Sequence, residues 1–277
     1  MKPRILSSRS ASLSIGVVIV ALLILTAAVS YLWTPYPPAA LDIPHRLTPP
    51  SAQHWLGSDA LGRDVASGII AGARVSLMVG VIAVGIGVTF GVALGLLAAS
   101  AKGVVEDAIM KLSDFAFAFP ALLLAILLTA TYGPGVVNAI LAIGVANVPI
   151  FAKLTRATAN SVLTSEFVLA ARAAGRGPVA IALDHVLPNI APALIVQATI
   201  QFAIAILAEA ALSYLGLGAQ PPLASWGRML ADAQPWLLRA PGLAIFPGLA
   251  VAISVLGLNL VGDGLRDALD PKLRARR

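Results

Sequence analysis

Cysteine is absent from the 277 residues, which excludes disulfides, thiolate metal sites and a cysteine nucleophile. Charge is scarce as well: Asp, Glu, Lys and Arg make up 12% of the chain, against the roughly 25% typical of a soluble domain. The three histidines, His45, His54 and His185, form no HExxH motif, and no two are spaced to share a metal ion. A phosphate-binding loop of the form G-x-x-x-x-G-K-[ST] is missing, because no glycine is followed by lysine. No intramembrane aspartate pair and no Ser-His-Asp arrangement is evident. The sequence therefore predicts a chain with no catalytic residue, no metal ligand and no cofactor of its own, and not an enzyme by itself.

What the chain does have is long apolar runs. Hydrophobic residues make up 58% of it and the mean hydropathy is +0.90, the profile of a membrane protein. A hydrocarbon core of roughly 30 Å takes about 20 helical residues. Six runs approach that ruler between charged or Pro/Gly-rich breaks, at 13–33, 75–100, 115–131, 135–152, 191–216 and 243–261. The third and fourth are short, and the tight turn Tyr132-Gly133-Pro134-Gly135 between them predicts one hairpin across the membrane. The first follows Lys2, Arg4 and Arg9. Its apolar stretch exceeds the roughly 7–15 residues of a secretory h-region, so it reads as an uncleaved helix. With the N-terminus inside, fourteen Lys and Arg fall on the inner side, against Arg46, Arg63, Arg74, Arg228 and Arg239 outside. That bias predicts both termini in the cytoplasm. It also assigns the net charge of +6 to membrane topology, with no nucleic acid among the partners.

The expected fold class is all-α: a polytopic membrane protein with six transmembrane helices. Residues 1–73 would form one transmembrane helix plus a long extracytoplasmic loop, and 74–277 a core of five helices with a cytoplasmic loop at about 153–189. Gly87, Gly91 and Gly95 repeat at a spacing of four, giving one helix face a close approach either to a neighbour in this chain or to a partner subunit. Pro120, Pro149, Pro192 and Pro247 interrupt or open the third to sixth spans. Each frees a carbonyl that lipid cannot satisfy, so these spans either line a wet pathway or simply bend. Glu209 falls inside the fifth span, where an acid costs a few kcal/mol unless paired or hydrated. It is either a functional pathway residue or a structural hydrogen-bonding residue near the outer interface. Gln201 and Asn259, with Gln197, pose the same question more mildly.

The inner loop carries the most information. From Ser165 it reads SEFVLAARAAGRGPVAIALDHVLPN. Ser165 suits an N-cap, Glu166 the positive first turn and Gly175 the helix end; Pro178 can open a second short helix. Phe167, Ala170, Ala171 and Ala174 form an apolar, small-residue face that something must cover. The loop resembles the signature of permease subunits of binding-protein-dependent ABC importers: Glu-Ala-Ala, three residues, Gly, nine residues, Ile, one residue, Leu-Pro. Ala170-Ala171, Gly175 and Leu187-Pro188 match at that spacing, with Leu169 in place of the glutamate and His185 in place of the isoleucine. HVLPN at 185–189 resembles the dipeptide, oligopeptide and nickel branch, in its C-type subunit. The stretch HWLGSDALGRDVASGIIAGARVSL (54–77), EAALSYLGLG (209–218), Ser225-Trp226-Gly227, Phe246-Pro247-Gly248-Leu249 and NLVGDGLRDALDP (259–271) carry the likeness along nearly the whole chain.

That resemblance implies a type I ABC importer permease fold in the bacterial inner membrane, pairing with a second homologous permease subunit. Two cytoplasmic ATPase subunits, which bind ATP and Mg2+, and an extracytoplasmic solute-binding protein are the further partners it implies. It assigns the role of coupling helix, docking on an ATPase, to about 166–175: Glu166, Phe167, Ala170, Ala171, Arg172, Ala174 and Gly175. An exposed apolar helix flanked by Arg172 and Arg176 is in keeping with a helix-in-groove ligand. Outside, Arg63, Asp64 and Trp226 are candidates for contact with the binding protein, while an Arg-Asp pair there also suits a purely structural loop tie. The two tryptophans of the second outer segment, Trp226 and Trp236, suit the membrane interface. Dipeptides, longer peptides, glutathione-like compounds and chelated nickel are the cargoes the resemblance leaves open. A stand-alone secondary transporter, with Glu209 as its ion site, is the alternative from another class, but no internal repeat of broken helices supports it.

Overall fold

The computed structural model describes residues 4–269. Lys2, the basic tail Lys272, Arg274, Arg276 and Arg277, and Asp270-Pro271 at the end of the tail motif lie outside the described residues. Among the described residues ten α-helices follow one another: α1 (Arg4–Val29), α2 (Val65–Ala101), α3 (Gly103–Ala118), α4 (Ala121–Tyr132), α5 (Val136–Leu163), α6 (Glu166–Ala173), α7 (Pro178–Ile181), α8 (Leu187–Tyr214), α9 (Trp226–Ala233) and α10 (Gly242–Leu269). Among the described residues, five helical stretches are long and apolar enough to cross a membrane, or six if the bent pair α3 and α4 counts as one span.

The core is the seam between α2 and α5. Gly87, Gly91 and Gly95 face α5 along it, and a Cβ on any of them would stand 2.5–2.6 Å from Asn147, Phe151, Val148, Ala152 or Thr155 atoms. The glycine repeat is thus packing within this chain, with backbones close enough that no side chain fits between them. A second small-residue seam joins α1 to α10 in antiparallel register: Gly16 abuts Leu260, and Gly257 abuts Ile19. Away from that seam α1 turns Val17, Val18, Leu22 and Leu25 outward, as a helix in lipid does. Chain direction then places the start of α1, the end of α2, the ends of α5 and α10, and α6 at one end of the bundle. The long connections 34–64 and 217–241 lie at the other.

Three boundaries differ from the sequence expectation. The third span is not one rod, because α3 and α4 meet at 79° across Phe119 and Pro120. Pro120 disfavours helical backbone at the residue before it, and Phe119 is extended at φ −89°, ψ 113°. At 12 residues, α4 is only about 18 Å long, so the hairpin expected with the fourth span is lopsided. The turn itself is as read: Gly133 sits at φ +83° and Asn138 Nδ2 donates to its carbonyl at 2.6 Å.

The second span begins at Val65, so a boundary at 73/74 falls inside α2. Asp64 starts that helix by accepting from the Ser67 amide at 2.7 Å, an N-cap, and Arg74 is accommodated in it by stacking 4.6 Å from the Tyr31 ring centroid. Finally, the inner loop is shorter than 153–189. Lys153 lies in α5, and α7 runs into α8 as one helical stretch, Pro178–Tyr214, of 37 residues. A π turn at Ala182–Val186 joins them just ahead of Pro188, which has no amide proton to continue an α-helical ladder.

Candidate functional site

At the α6 end, one short helix stands out from the bundle. Val168 is its anchor, fully buried in the main core, and the Phe167 ring meets His185 edge-on at 6.4 Å between centroids. Gly175 lies at φ +80°; its amide donates to the Arg172 carbonyl at 3.0 Å and the Arg176 amide to Ala171 at 3.1 Å. That pair of bonds is the Schellman ending. Nothing lies within 4 Å of a Cβ at Gly175, so the glycine answers to backbone conformation and leaves the surface open. Ser165 has the extended backbone of an N-cap but no capping bond, since its hydroxyl donates backward to Val162 at 2.6 Å.

The rest of α6 is uncovered. Phe167 is 47% and Leu169 51% exposed, and Glu166, Ala170, Arg172, Ala174 and Gly175 are exposed beside them, with Ala171 half-buried. Val179 and Leu183 extend the apolar surface onto the next helix. This eight-residue helix, held by one buried valine, thus leaves an apolar surface uncovered, with arginines at its end.

At the opposite end of α8, Glu209 is 1% exposed and fully engaged. Oε1 accepts from Ser213 and Ser225, each at 2.7 Å, and Oε2 from Ser76 at 3.3 Å. Ser213 Oγ in turn accepts from the Ala219 amide at 2.9 Å. This cluster ties α2, α8 and the 217–225 loop together, so the carboxylate acts as a joint. Ser213, one turn along from Glu209, was readable on the helix; Ser76 and Ser225 arrive from elsewhere in the chain and left no local signal. Of the other polar span residues, Gln201 is buried and Asn259 exposed, and the structure does not bring them to Glu209. Asn147 on α5 was not singled out by sequence, yet its Nδ2 is buried without a hydrogen-bond partner.

The outer candidates also prove to be structural. Arg63 does not pair with Asp64. Its guanidinium bridges Asp59 and, at 3.0 Å, Asp232 from the second outer segment. Burial alone would lower the Arg63 pKa, but the two carboxylates outweigh it and hold the group above its ordinary value. Asp64 is buried, taken by Ser67 and by His54 Nδ1 at 2.9 Å. Trp226 is 2% exposed: it lies over Gly72, where a Cβ would stand 2.6 Å from its ring, and its Nε1 donates to Ile69 at 2.9 Å. It is therefore neither an interface anchor nor available to a docked protein, because α9 folds the indole inward onto α2. Arg63 alone of the three keeps partial exposure.

Comparison with known proteins follows the same lines. Residues 91–275 match the family described as binding-protein-dependent transport system inner membrane component. The dipeptide transport system permease protein DppC of Alkalihalophilus pseudofirmus is 44% identical over 261 residues, 94% of this chain and 86% of that one. The nickel transport system permease protein NikC of Escherichia coli is 41% identical over 268 residues, 97% of this chain and 96% of that one. An inward-facing structure of the MetNI methionine ABC transporter superposes with a TM-score of 0.60, covering 73% of this chain and 96% of the matched one at 18% identity, which speaks to the fold alone.

Proposed function

The chain belongs to the family of binding-protein-dependent transport system inner membrane components, and from that premise we propose that it forms half of the path of an importer for dipeptides or oligopeptides, with α6 as its coupling helix. It is a multi-pass inner-membrane permease subunit. In this reading a second, homologous permease supplies the other half of the path, a solute-binding protein delivers cargo at the 34–64 and 217–241 end, and two ATPase subunits carry ATP and Mg2+ at the α6 end, which faces the cytoplasm together with both termini. A nickel complex or another small solute is the alternative cargo, one relative being the permease protein of a nickel transport system.

One observation carries the assignment: α6 is the only described helix that leaves the bundle to present Phe167 and Leu169 beside Arg172, anchored through Val168. ATP-driven closure of the ATPases would carry α6 with them, and the Phe167–His185 contact would pass that motion to the Pro178–Tyr214 helix. Glu209, the ion site a self-sufficient transporter would need, has both oxygens occupied by serines, which favours the importer.

The test is replacement of Ala171 and Gly175 by bulky residues in membranes containing the partner subunits. Loss of ATPase association, and of ATPase activity stimulated by binding protein, is expected with the permease still folded. Unchanged association and transport, or solute flux by this chain without any ATPase, would overturn the assignment.

A further inference from the structure

A cavity of about 870 Å3 opens between the ends of α2 and α5, the start of α3, and the α6–α7 turn. Its rim carries Lys102, Arg172 and Arg176. The one carboxylate in the lining, Glu106, is spent on Arg156 at 2.5 Å, and Arg176 is shared with exposed Asp184 at 3.3 Å. Among the described residues Lys102 and Arg172 have no ion-pair partner. Asn160 and Thr164 add polar groups, whereas Leu163, Leu169 and Ile181 make the wall apolar.

The backbone supplies a second observation. Lys102 stands at φ +53° and is followed by Gly103 at φ +60°. With ψ at 176° this is backbone that lysine rarely adopts and glycine would adopt without strain. The strained residue in the α2–α3 turn is thus the one that contributes a cation to the cavity, a pattern that points from strain to function.

We propose that this cavity binds a phosphate-bearing anion presented by a membrane, the headgroup of an acidic phospholipid, with the cations on the phosphate and the apolar wall against the glycerol and upper acyl chain. Basic pockets where helices leave the hydrocarbon suit such headgroups, and the volume lies within the roughly 300–1,000 Å3 of small-molecule sites. A free phosphate shares the charge but has no use for Leu163, Leu169 and Ile181. The inference rests on the membrane disposition of the chain; because Leu169 and Arg172 also belong to the surface assigned to the ATPase, it is tested without any ATPase.

The full chain is delipidated in detergent, mixed with equal amounts of phosphatidylglycerol and phosphatidylcholine, and the retained lipid is counted by native mass spectrometry. Preferential retention of phosphatidylglycerol is expected. The preference should fall about five-fold in Lys102→Gln and roughly thirty-fold in K102Q/R176Q, from about 1 kcal/mol per basic side chain. Lys102→Gly, which suits the left-handed backbone, should lose the same five-fold with folding intact. Equal retention of the two lipids by the wild type, or an unchanged preference in the variants, overturns the proposal. Displacement of phosphatidylglycerol by equimolar inorganic phosphate overturns the lipid assignment in favour of a free anion.

Discussion

The two ends of the bundle use similar residues in opposite ways. At the outer-loop end, Arg63, Asp64, Glu209 and Trp226 all find partners inside the chain: two aspartates, a histidine and a serine, three serines, and a backbone carbonyl. At the α6 end, Phe167, Leu169, Lys102 and Arg172 face outward. A charged or aromatic residue in a membrane protein's connecting segment is therefore no sign of a binding surface until its partners are known. Where the chain satisfies the group itself, the residue builds the scaffold; where it does not, the surface is left for something else.

Substitutions sharpen the contrast. Trp226→Ala removes a buried indole and its hydrogen bond, and should cost about 3–5 kcal/mol, seen as early loss of folded protein on heating in nanodiscs. A near-neutral result would break the comparison, since it would mean the outer end is no better packed than α6. Arg63→Ala breaks the bridge between Asp59 and Asp232, leaving Asp232 to Arg228 and Asp59 to backbone amides, and should cost about 1–3 kcal/mol.

The raised Arg63 pKa gives the pH dependence its sign. A group whose folded pKa lies above its unfolded value stabilises fully below the unfolded value and loses that contribution only as pH climbs through the folded one. For an arginine both lie far into the alkaline range, so the Arg63 contribution should stay flat from neutral to mildly alkaline pH. A wild-type minus Arg63→Ala stability difference that shrinks over that window would contradict the bridge.

Two helix starts make a closer pair. Asp64→Ala should cost about 1–2 kcal/mol through the lost cap of α2, whereas Ser165→Ala at α6, whose hydroxyl caps nothing, should stay within about 0.5 kcal/mol. Equal effects would show that the extended backbone at Ser165 matters as much as a made bond. Phe167→Ala should also cost little in stability, about 1 kcal/mol for a ring already half in water, yet it should strongly reduce ATPase association in pull-down from membranes. A Phe167 variant that unfolds the chain and spares association would reverse the roles given to the two ends.

Much of this was readable from sequence for a simple reason. The long apolar runs, the glycine repeat of α2 and the Gly175 turn are local patterns, and local patterns survive without coordinates. The failures are all non-local or concern which way a group faces. Arg63 and Asp232 are 169 positions apart, and no spacing rule pairs them. Trp226 suits a membrane interface and a protein interior equally well by composition, and only the fold of α9 onto Gly72 decides. Hydropathy also ends a span at the first charge, so it cut α2 at Arg74, although the helix carries that arginine on Tyr31 and continues to Asp64. The break at Phe119-Pro120 was marked by its proline, but the 79° bend depends on tertiary packing.

The Pro178–Tyr214 helix has a mechanical consequence. At about 1.5 Å per residue its 37 residues form a rod of roughly 55 Å, touched by Phe167 near one tip and pinned through Ser213 and Glu209 near the other. Such a rod behaves as a lever with a hydroxyl-lined bearing at its far end. Its one π turn, beside the Phe167 contact, is where slack would be taken up before the pinned end begins to turn if α6 is moved as proposed.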